Sequence, residues 1–139
     1  MARPRILVVD DAVMVRRYVR HTLDPAGIDV DEASDGAEAI EAMKRTAYPL
    51  VLLDLEMPKM GGVAVLRVLC SGTIAPVPPI LVLTSAEMKP AELKQLRDQG
   101  VVGFVDKATV PDQLVFRVRT VLSSPANRGA AQHEPGSES

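Results

Sequence analysis

Leu50–Gly62, LVLLDLEMPKMGG, is the stretch whose reading decides the fold. Leu50–Leu53 is an unbroken apolar run, as long as a strand buried on both faces of a parallel sheet. It ends in Asp54, an acid placed where the chain leaves the core. Pro58 forbids a helix starting at once, and Gly61-Gly62 supplies a turn before the next apolar helix. In open α/β sheets, ligand chemistry sits at the carboxyl ends of the strands. From this stretch alone Asp54 is either an acid that closes a turn or a nucleophile for a phosphoryl group. The other strand ends decide between the two.

Upstream, Arg5–Asp10 (RILVVD) reads as a second buried strand, ending in the adjacent acids Asp10 and Asp11. A helix from about Met14 to Leu23 follows, with Val15, Val19, Thr22 and Leu23 on one face. Asp24-Pro25-Ala26-Gly27 stops it. Ile28–Ala33 alternates with acids and suits a sheet edge. Ser34-Asp35-Gly36 opens a helix over about Ala37–Arg45, with Ile40 and Met43 inward and Glu38 and Glu41 outward. Downstream, a third helix spans about Val63–Ser71. The Pro-rich connection Ser71–Pro79 is rigid and cannot be a helix or a central strand. Ile80–Thr84 (ILVLT) is a buried strand ending in two hydroxyls, Thr84 and Ser85. A helix over Pro90–Gln99 follows, closed by Gly100. Val101–Asp106 contains the last strand, with Lys107 just past it. Pro111–Leu122 is the last helix, with Leu114, Val118, Val121 and Leu122 on one face.

Five strands alternating with five helices predict an α/β fold. It is a doubly wound, five-stranded parallel sheet of the flavodoxin-like kind with helices on both faces; of the two common strand orders we take 2-1-3-4-5, which leaves the second strand, whose end Ala33-Ser34 carries no conspicuous chemistry, outside the cluster. Residues 1–122 form the domain. Residues 123–139, rich in Ser, Pro, Gly, Asn and Gln, read as a disordered tail. The 139 residues suffice for one domain with a real core. A net charge of −2 removes any global electrostatic case for binding nucleic acid directly. No apolar run approaches the ~20 residues of a membrane span. The single cysteine, Cys70, excludes an intrachain disulfide framework and fits a reducing cytoplasm; its apolar segment VAVLRVLC predicts core packing.

In the 2-1-3-4-5 order the strands ending in Asp10/Asp11 and Asp54 are neighbours, about 4.8 Å apart. Thr84 ends the strand on the other side of Asp54, and Lys107 lies two strands away, a gap of roughly 10 Å that a long flexible cation spans. Three carboxylates in one place repel, and a divalent hard cation resolves the conflict. Mg²⁺ binds through one or two carboxylates plus a phosphate. A carboxylate nucleophile, a divalent cation, an ammonium and a hydroxyl together suit in-line phosphoryl transfer onto Asp54.

The chain resembles a receiver domain of two-component response regulators, and most of all the small stand-alone chemotaxis-type receivers. The pieces that match are VVDD at Val8–Asp11, SDGAEAI at Ser34–Ile40, LLDLEMPKMGG at Leu52–Gly62, LTSA at Leu83–Ala86 and FVDK at Phe104–Lys107. The resemblance implies that Asp54 is the phosphoacceptor, fed by a histidine kinase or a histidine phosphotransfer protein. It implies Asp11 and Asp54 as direct Mg²⁺ ligands, Asp10 acting through water, and the Glu56 backbone carbonyl as a further ligand. Thr84 and Lys107 would bind the phosphoryl group. Phe104 would be the switch aromatic, turning inward as Thr84 moves towards the phosphate. Its chemistry would be confined to its own phosphorylation and dephosphorylation at Asp54, so the chain is not expected to be an enzyme. The output would be a changed surface on the last two helices and the Ala86–Lys89 loop, meeting a downstream effector protein or a second copy.

This chain departs from the family pattern in several places, the long Pro-rich connection Ser71–Pro79 among them. Gly61 stands where an acid is usual, which predicts a poorly capped third helix. Ala108 follows Lys107 where proline is common, which puts the usual cis peptide in doubt. Phe104 carries no hydroxyl where tyrosine is frequent.

Basic residues Lys89, Lys94, Arg97, Arg117 and Arg119, and on the first helix Arg16, Arg17 and Arg20, read as docking surfaces or as solvated faces. A haloacid-dehalogenase-type phosphatase would want an Asp two residues after the nucleophile, where Glu56 stands, and a cap segment that is missing. A phosphate-independent interaction module would have lost an acid or Lys107, and none is lost. Ser123–Ser139 is too short and polar for a DNA-binding module. That leaves a stand-alone receiver, favoured by the Met1 start and fading tail, or the receiver fragment of a larger regulator.

Overall fold

The computed structural model describes residues 3–57, 60–85 and 88–124. Pro58, Ala86 and the tail from residue 125 onward, each given a part in the sequence reading, lie outside the described residues. Strands β1 (Arg5–Val9), β2 (Asp29–Ala33), β3 (Val51–Asp54), β4 (Ile80–Thr84) and β5 (Val101–Asp106) form one parallel sheet in the order β2-β1-β3-β4-β5. Helices α1 (Val13–Leu23), α2 (Gly36–Arg45), α3 (Gly62–Cys70), α4 (Pro90–Asp98) and α5 (Pro111–Leu122) alternate with them, and a 3-10 turn over Asp24–Ala26 closes α1. The expected order and alternation therefore hold, with element ends within a residue or two of those read from the sequence.

The pleat sends successive strand residues to opposite faces, and both faces are apolar. Leu7, Val9, Val51, Leu53, Ile80 and Val82 pack against α2, α3 and α4. Ile6, Val8, Leu52, Leu81, Leu83 and Val105 pack against α1 and α5. β1 and β3 are thus buried on both sides, which is why they read as unbroken apolar runs. Leu53 lies opposite Val9, and Asp54 opposite Leu83. A slip of one residue would swap Leu52 and Leu53 between the two layers and carry Asp54 with them. The core registers that acid.

The edges are handled by charge. β2 carries Asp29, Asp31 and Glu32, which pair with Arg3 and Arg5 and with Arg16 and Arg20. The pairs of Arg3 and Arg5 are exposed and each contributes under about 1 kcal/mol; their effect is to block edge-to-edge pairing. Arg16 and Arg20 both pair with Glu32 of the fold's own β2, Arg16 largely buried and Arg20 still about half exposed. Asp35 caps α2, accepting from the Glu38 N–H at 2.9 Å, while Glu38 reaches back to the Ser34 N–H at 2.7 Å. Gly61, the residue before α3, caps it with no side-chain bond, as the missing acid predicts. The described cis peptide is Ala75-Pro76, and the Lys107–Ala108 bond is not among the cis bonds.

Cys70 is a correction. It is exposed, with Sγ 3.7 Å from the Gln99 carbonyl oxygen. α3 buries Val65, Leu66 and Leu69, and the next residue lies about 100° round the helix, off the inward face. No helix among the described residues is long and apolar enough to cross a membrane.

Tyr48 is 6% exposed and donates to Asp31 Oδ2 at 2.7 Å. Burial, then the Asp31 carboxylate, pushes its phenol up from 10.0 to about 12. The folded pKa lies above the unfolded one, so this contribution is full below pH 10 and is lost as pH rises through about 12. Tyr48→Phe is expected to lower stability by about 1 kcal/mol at neutral pH. The deficit should vanish as the pH climbs through that window, measured by urea unfolding at several pH values. An unchanged deficit at high pH would refute the assignment.

Candidate functional site

The carboxyl ends of β1 and β3 bring three acids together. Asp10, Asp11 and Asp54 each offer an oxygen, and all three oxygens lie within 4.8 Å of one another. Asp10 is 0% exposed and Asp54 1%, whereas Asp11 faces solvent. Each buried acid is half satisfied by the backbone just after it. Asp10 Oδ1 accepts from the Ala12 N–H at 2.8 Å, and Asp54 Oδ1 accepts from the Glu56 N–H at 3.0 Å. These bonds are short-range turns, the local habit of aspartate, and they aim both Oδ2 atoms the same way.

Lys107 reaches both. Its Nζ lies 3.1 Å from Asp10 Oδ2 and 3.1 Å from Asp54 Oδ2. Neither oxygen has a partner with hydrogen-bond geometry, although both are buried; the ammonium is close enough to attract them and is not aligned to bond them. Burial pushes the Asp54 carboxyl above the usual carboxylate range, against the pull of the Glu56 N–H and Lys107, and the charge of Asp10 adds to the rise. Burial alone would lower the Lys107 ammonium, but Asp54 and Asp10 outweigh it and its pKa is raised. At full ionisation three carboxylates and one ammonium leave an excess of two negative charges, which one divalent cation offsets. All donors are hard oxygens and two of them are buried without a bond. Those are the features a Mg²⁺ site requires, and the residues fit that ion.

Lys107 is held at its base as well: its N–H donates to the Thr84 carbonyl at 3.0 Å. Thr84 ends β4 opposite Asp106, one residue beyond Leu83, the partner of Asp54. The sheet therefore places Thr84 and Lys107 beside Asp54, as the strand order predicts. Glu56 is exposed, and it is its N–H that the structure ties to Asp54. Phe104 is half-buried against the α2–α3–α4 layer, and the Arg97 guanidinium lies 5.9 Å from its ring centroid.

Two glycines set the loop after β3. A Cβ at position 62 would stand 2.5 Å from the Asp54 carbonyl oxygen and 2.7 Å from Leu55 Cα. At position 36 it would stand 2.6 Å from the Met60 carbonyl oxygen, the acceptor of the Gly36 N–H at 3.0 Å. The start of α2 thus clamps the loop that follows Asp54. Sequence reading treated Gly36 as part of a helix start. The signal available was a glycine in a first helical turn, where no positive φ calls for one.

A family model described as a response regulator receiver domain matches residues 6–119. The transcriptional regulatory protein ResD of Bacillus subtilis is 33% identical over 118 residues, which are 85% of this chain and 48% of ResD. Protein-glutamate methylesterase/protein-glutamine glutaminase 1 of Anaeromyxobacter dehalogenans is 31% identical, the match covering 95% of this chain and 43% of that protein. Among solved structures, the Vibrio cholerae chemotaxis protein CheY4 aligns with a TM-score of 0.79 and 30% identity, over 87% of this chain and 100% of the other. The chain spans about half the length of the curated relatives it matches, 49% and 48% of two of them.

Proposed function

Since the chain belongs to the response regulator receiver domain family, we propose that it is a phosphorylation-dependent switch whose phosphoacceptor is Asp54. The observation that carries this reading is the pair of buried, unbonded Oδ2 atoms of Asp10 and Asp54 beneath the Lys107 ammonium. Asp10, Asp11 and Asp54 would hold Mg²⁺, with the Glu56 carbonyl as a further ligand. Bound there, the ion supplies charge stabilisation for the phosphoryl oxygens and offsets the mutual repulsion of the acids.

The chain's own residues supply the rest. Asp54 Oδ1 is engaged by the Glu56 N–H, so Oδ2 keeps its lone pairs for attack on phosphorus. The P–N bond of a phosphohistidine donor breaks as the acyl phosphate forms. In the resting site Lys107 offsets part of the charge of the two buried acids. Once they are otherwise neutralised its flexible stem lets Nζ move onto the phosphoryl oxygens, where the Thr84 hydroxyl is a second donor. Thr84 moving towards the phosphate would draw Phe104 inward and change the α4–β5–α5 surface. The phosphodonor is a histidine kinase or histidine phosphotransfer protein. The output is contact with an effector protein or a second copy, with no reaction beyond gain and loss of the group on Asp54.

The test is intact mass after incubation with acetyl phosphate and Mg²⁺, with Asp54→Ala in parallel. One added phosphoryl group is expected in the wild type, none in the variant and none without Mg²⁺. Because rapid hydrolysis hides an adduct, beryllofluoride titration by NMR accompanies it. No adduct together with no Mg²⁺-dependent shift at Asp54 would overturn the reading.

A further inference from the structure

Arg16 ties α1 to β2 and to the end of β1. Its side chain is 15% exposed. Nε donates to Glu32 Oε1 at 2.9 Å, and Nη1 donates to the backbone carbonyl of Asp10 at 2.7 Å. Glu32 is itself fixed from the other side, its Oε2 lying 2.9 Å from Arg20 Nη2. Asp10 sits one residue beyond β1, where the ladder no longer engages its carbonyl. Its N–H still bonds to the Ala33 carbonyl at 3.1 Å, and its Oδ1 accepts from Ala12. Arg16 therefore engages the Asp10 carbonyl, and Oδ2 is the one polar atom of Asp10 left without a hydrogen bond.

That carbonyl belongs to the peptide joining Asp10 to Asp11. The peptide is planar, so holding its oxygen sets the plane from which Asp11 departs. Asp11 is exposed, and the place of its carboxylate depends on that plane. We infer that Arg16 is a positioning residue of the cation site. Anchored on Glu32, it orients the Asp10–Asp11 peptide so that both carboxylates face Asp54. The inference rests on reading the three acids as a Mg²⁺ site.

Charge and position predict opposite signs here. A cation acting only by its charge would repel Mg²⁺, so its removal would tighten binding. A residue acting by position loosens binding when removed. Glu32, shared with Arg20, offsets part of the guanidinium charge, and the two hydrogen bonds of Arg16 make position the dominant effect.

The experiment is a ¹⁵N NMR titration with Mg²⁺, following the Asp11 and Ala12 amides, in wild type, Arg16→Met, Arg16→Lys and Arg20→Met. Arg16→Met is expected to weaken Mg²⁺ binding about tenfold, the low end for groups that orient ligands. Arg16→Lys should fall between, about threefold, because one ammonium cannot serve both acceptors as a guanidinium fork does. Arg20→Met removes the other arginine on Glu32 and should leave affinity unchanged within about twofold. Phosphorylation of Arg16→Met by acetyl phosphate should drop at low Mg²⁺ and recover at saturation. Should Arg16→Met fail to fold, Arg16→Lys carries the test. Binding at or above wild-type affinity in the Arg16 variants overturns the inference, as does equal weakening in Arg20→Met, which would mark general α1–β2 packing. A wild type that binds no Mg²⁺ would instead overturn the site reading beneath it.

Discussion

Lys107→Met is expected to lower folding stability by about 3 kcal/mol in Mg²⁺-free buffer at neutral pH. The variant keeps the stem and removes the ammonium that stands 3.1 Å from two buried carboxylate oxygens. With nothing else bonded to those oxygens, two buried like charges are left uncompensated. Lys107 is 22% exposed, so water partly enters the gap, which places the loss at the low end of the range for broken buried pairs. Two further outcomes separate this cause from lost packing. The deficit should shrink as pH falls, because Asp54, already raised by burial, is raised further and escapes its charge by taking a proton. Mg²⁺ should stabilise the variant more than it stabilises the wild type. Urea unfolding with and without Mg²⁺, at neutral and mildly acidic pH, measures all three. A deficit indifferent to both pH and Mg²⁺ would make Lys107 a packing residue.

Gly62→Ala is expected to cost about 3 kcal/mol, the upper part of the range for overpacking, and to abolish phosphorylation of Asp54. The new methyl would meet the Asp54 carbonyl oxygen at 2.5 Å and Leu55 Cα at 2.7 Å. Both are backbone atoms of the segment that carries the nucleophile, and neither yields as a side-chain tip would. α3 must therefore move off the end of β3, or the end of β3 must move and shift Asp54. Gly61→Ala is the control. Its nearest neighbour is the Leu55 carbonyl oxygen at 3.3 Å and its φ of −79° suits any residue. It should lie within about 0.5 kcal/mol of wild type and phosphorylate normally. Equal behaviour of the two variants would remove the special status of Gly62.

Much of this molecule was legible in one dimension because its chemistry sits at strand ends. Buried strands are short apolar runs, and a polar residue that terminates one is conspicuous. Asp10, Asp54, Thr84 and Lys107 were found in that way, and strand order alone put them side by side. Cys70 was misread because α3 is apolar almost all round, so periodicity could not say which side faces in. Arg16 and Arg20 were read as surface charge because their acceptors, Glu32 and the Asp10 and Val30 carbonyls, come from other elements.

The sequence by itself determined the α/β class, the membership of the acid cluster and the weak start of α3, and it narrowed the strand order to one of two common doubly wound orders. These follow from periodicity, turn chemistry and the identity of residues at strand ends, all of which are local. Only the tertiary structure decided that the Asp10 and Asp54 Oδ2 atoms are buried without bonds, that Lys107 bridges them, that Gly36 and Gly62 press on the loop after β3, and that Arg16 holds the Asp10 carbonyl. Each is a contact between segments distant in the chain or between side chain and backbone across a fold. Its geometry is set by how the layers pack, to within an ångström, and no pattern of residue types along the chain carries that distance.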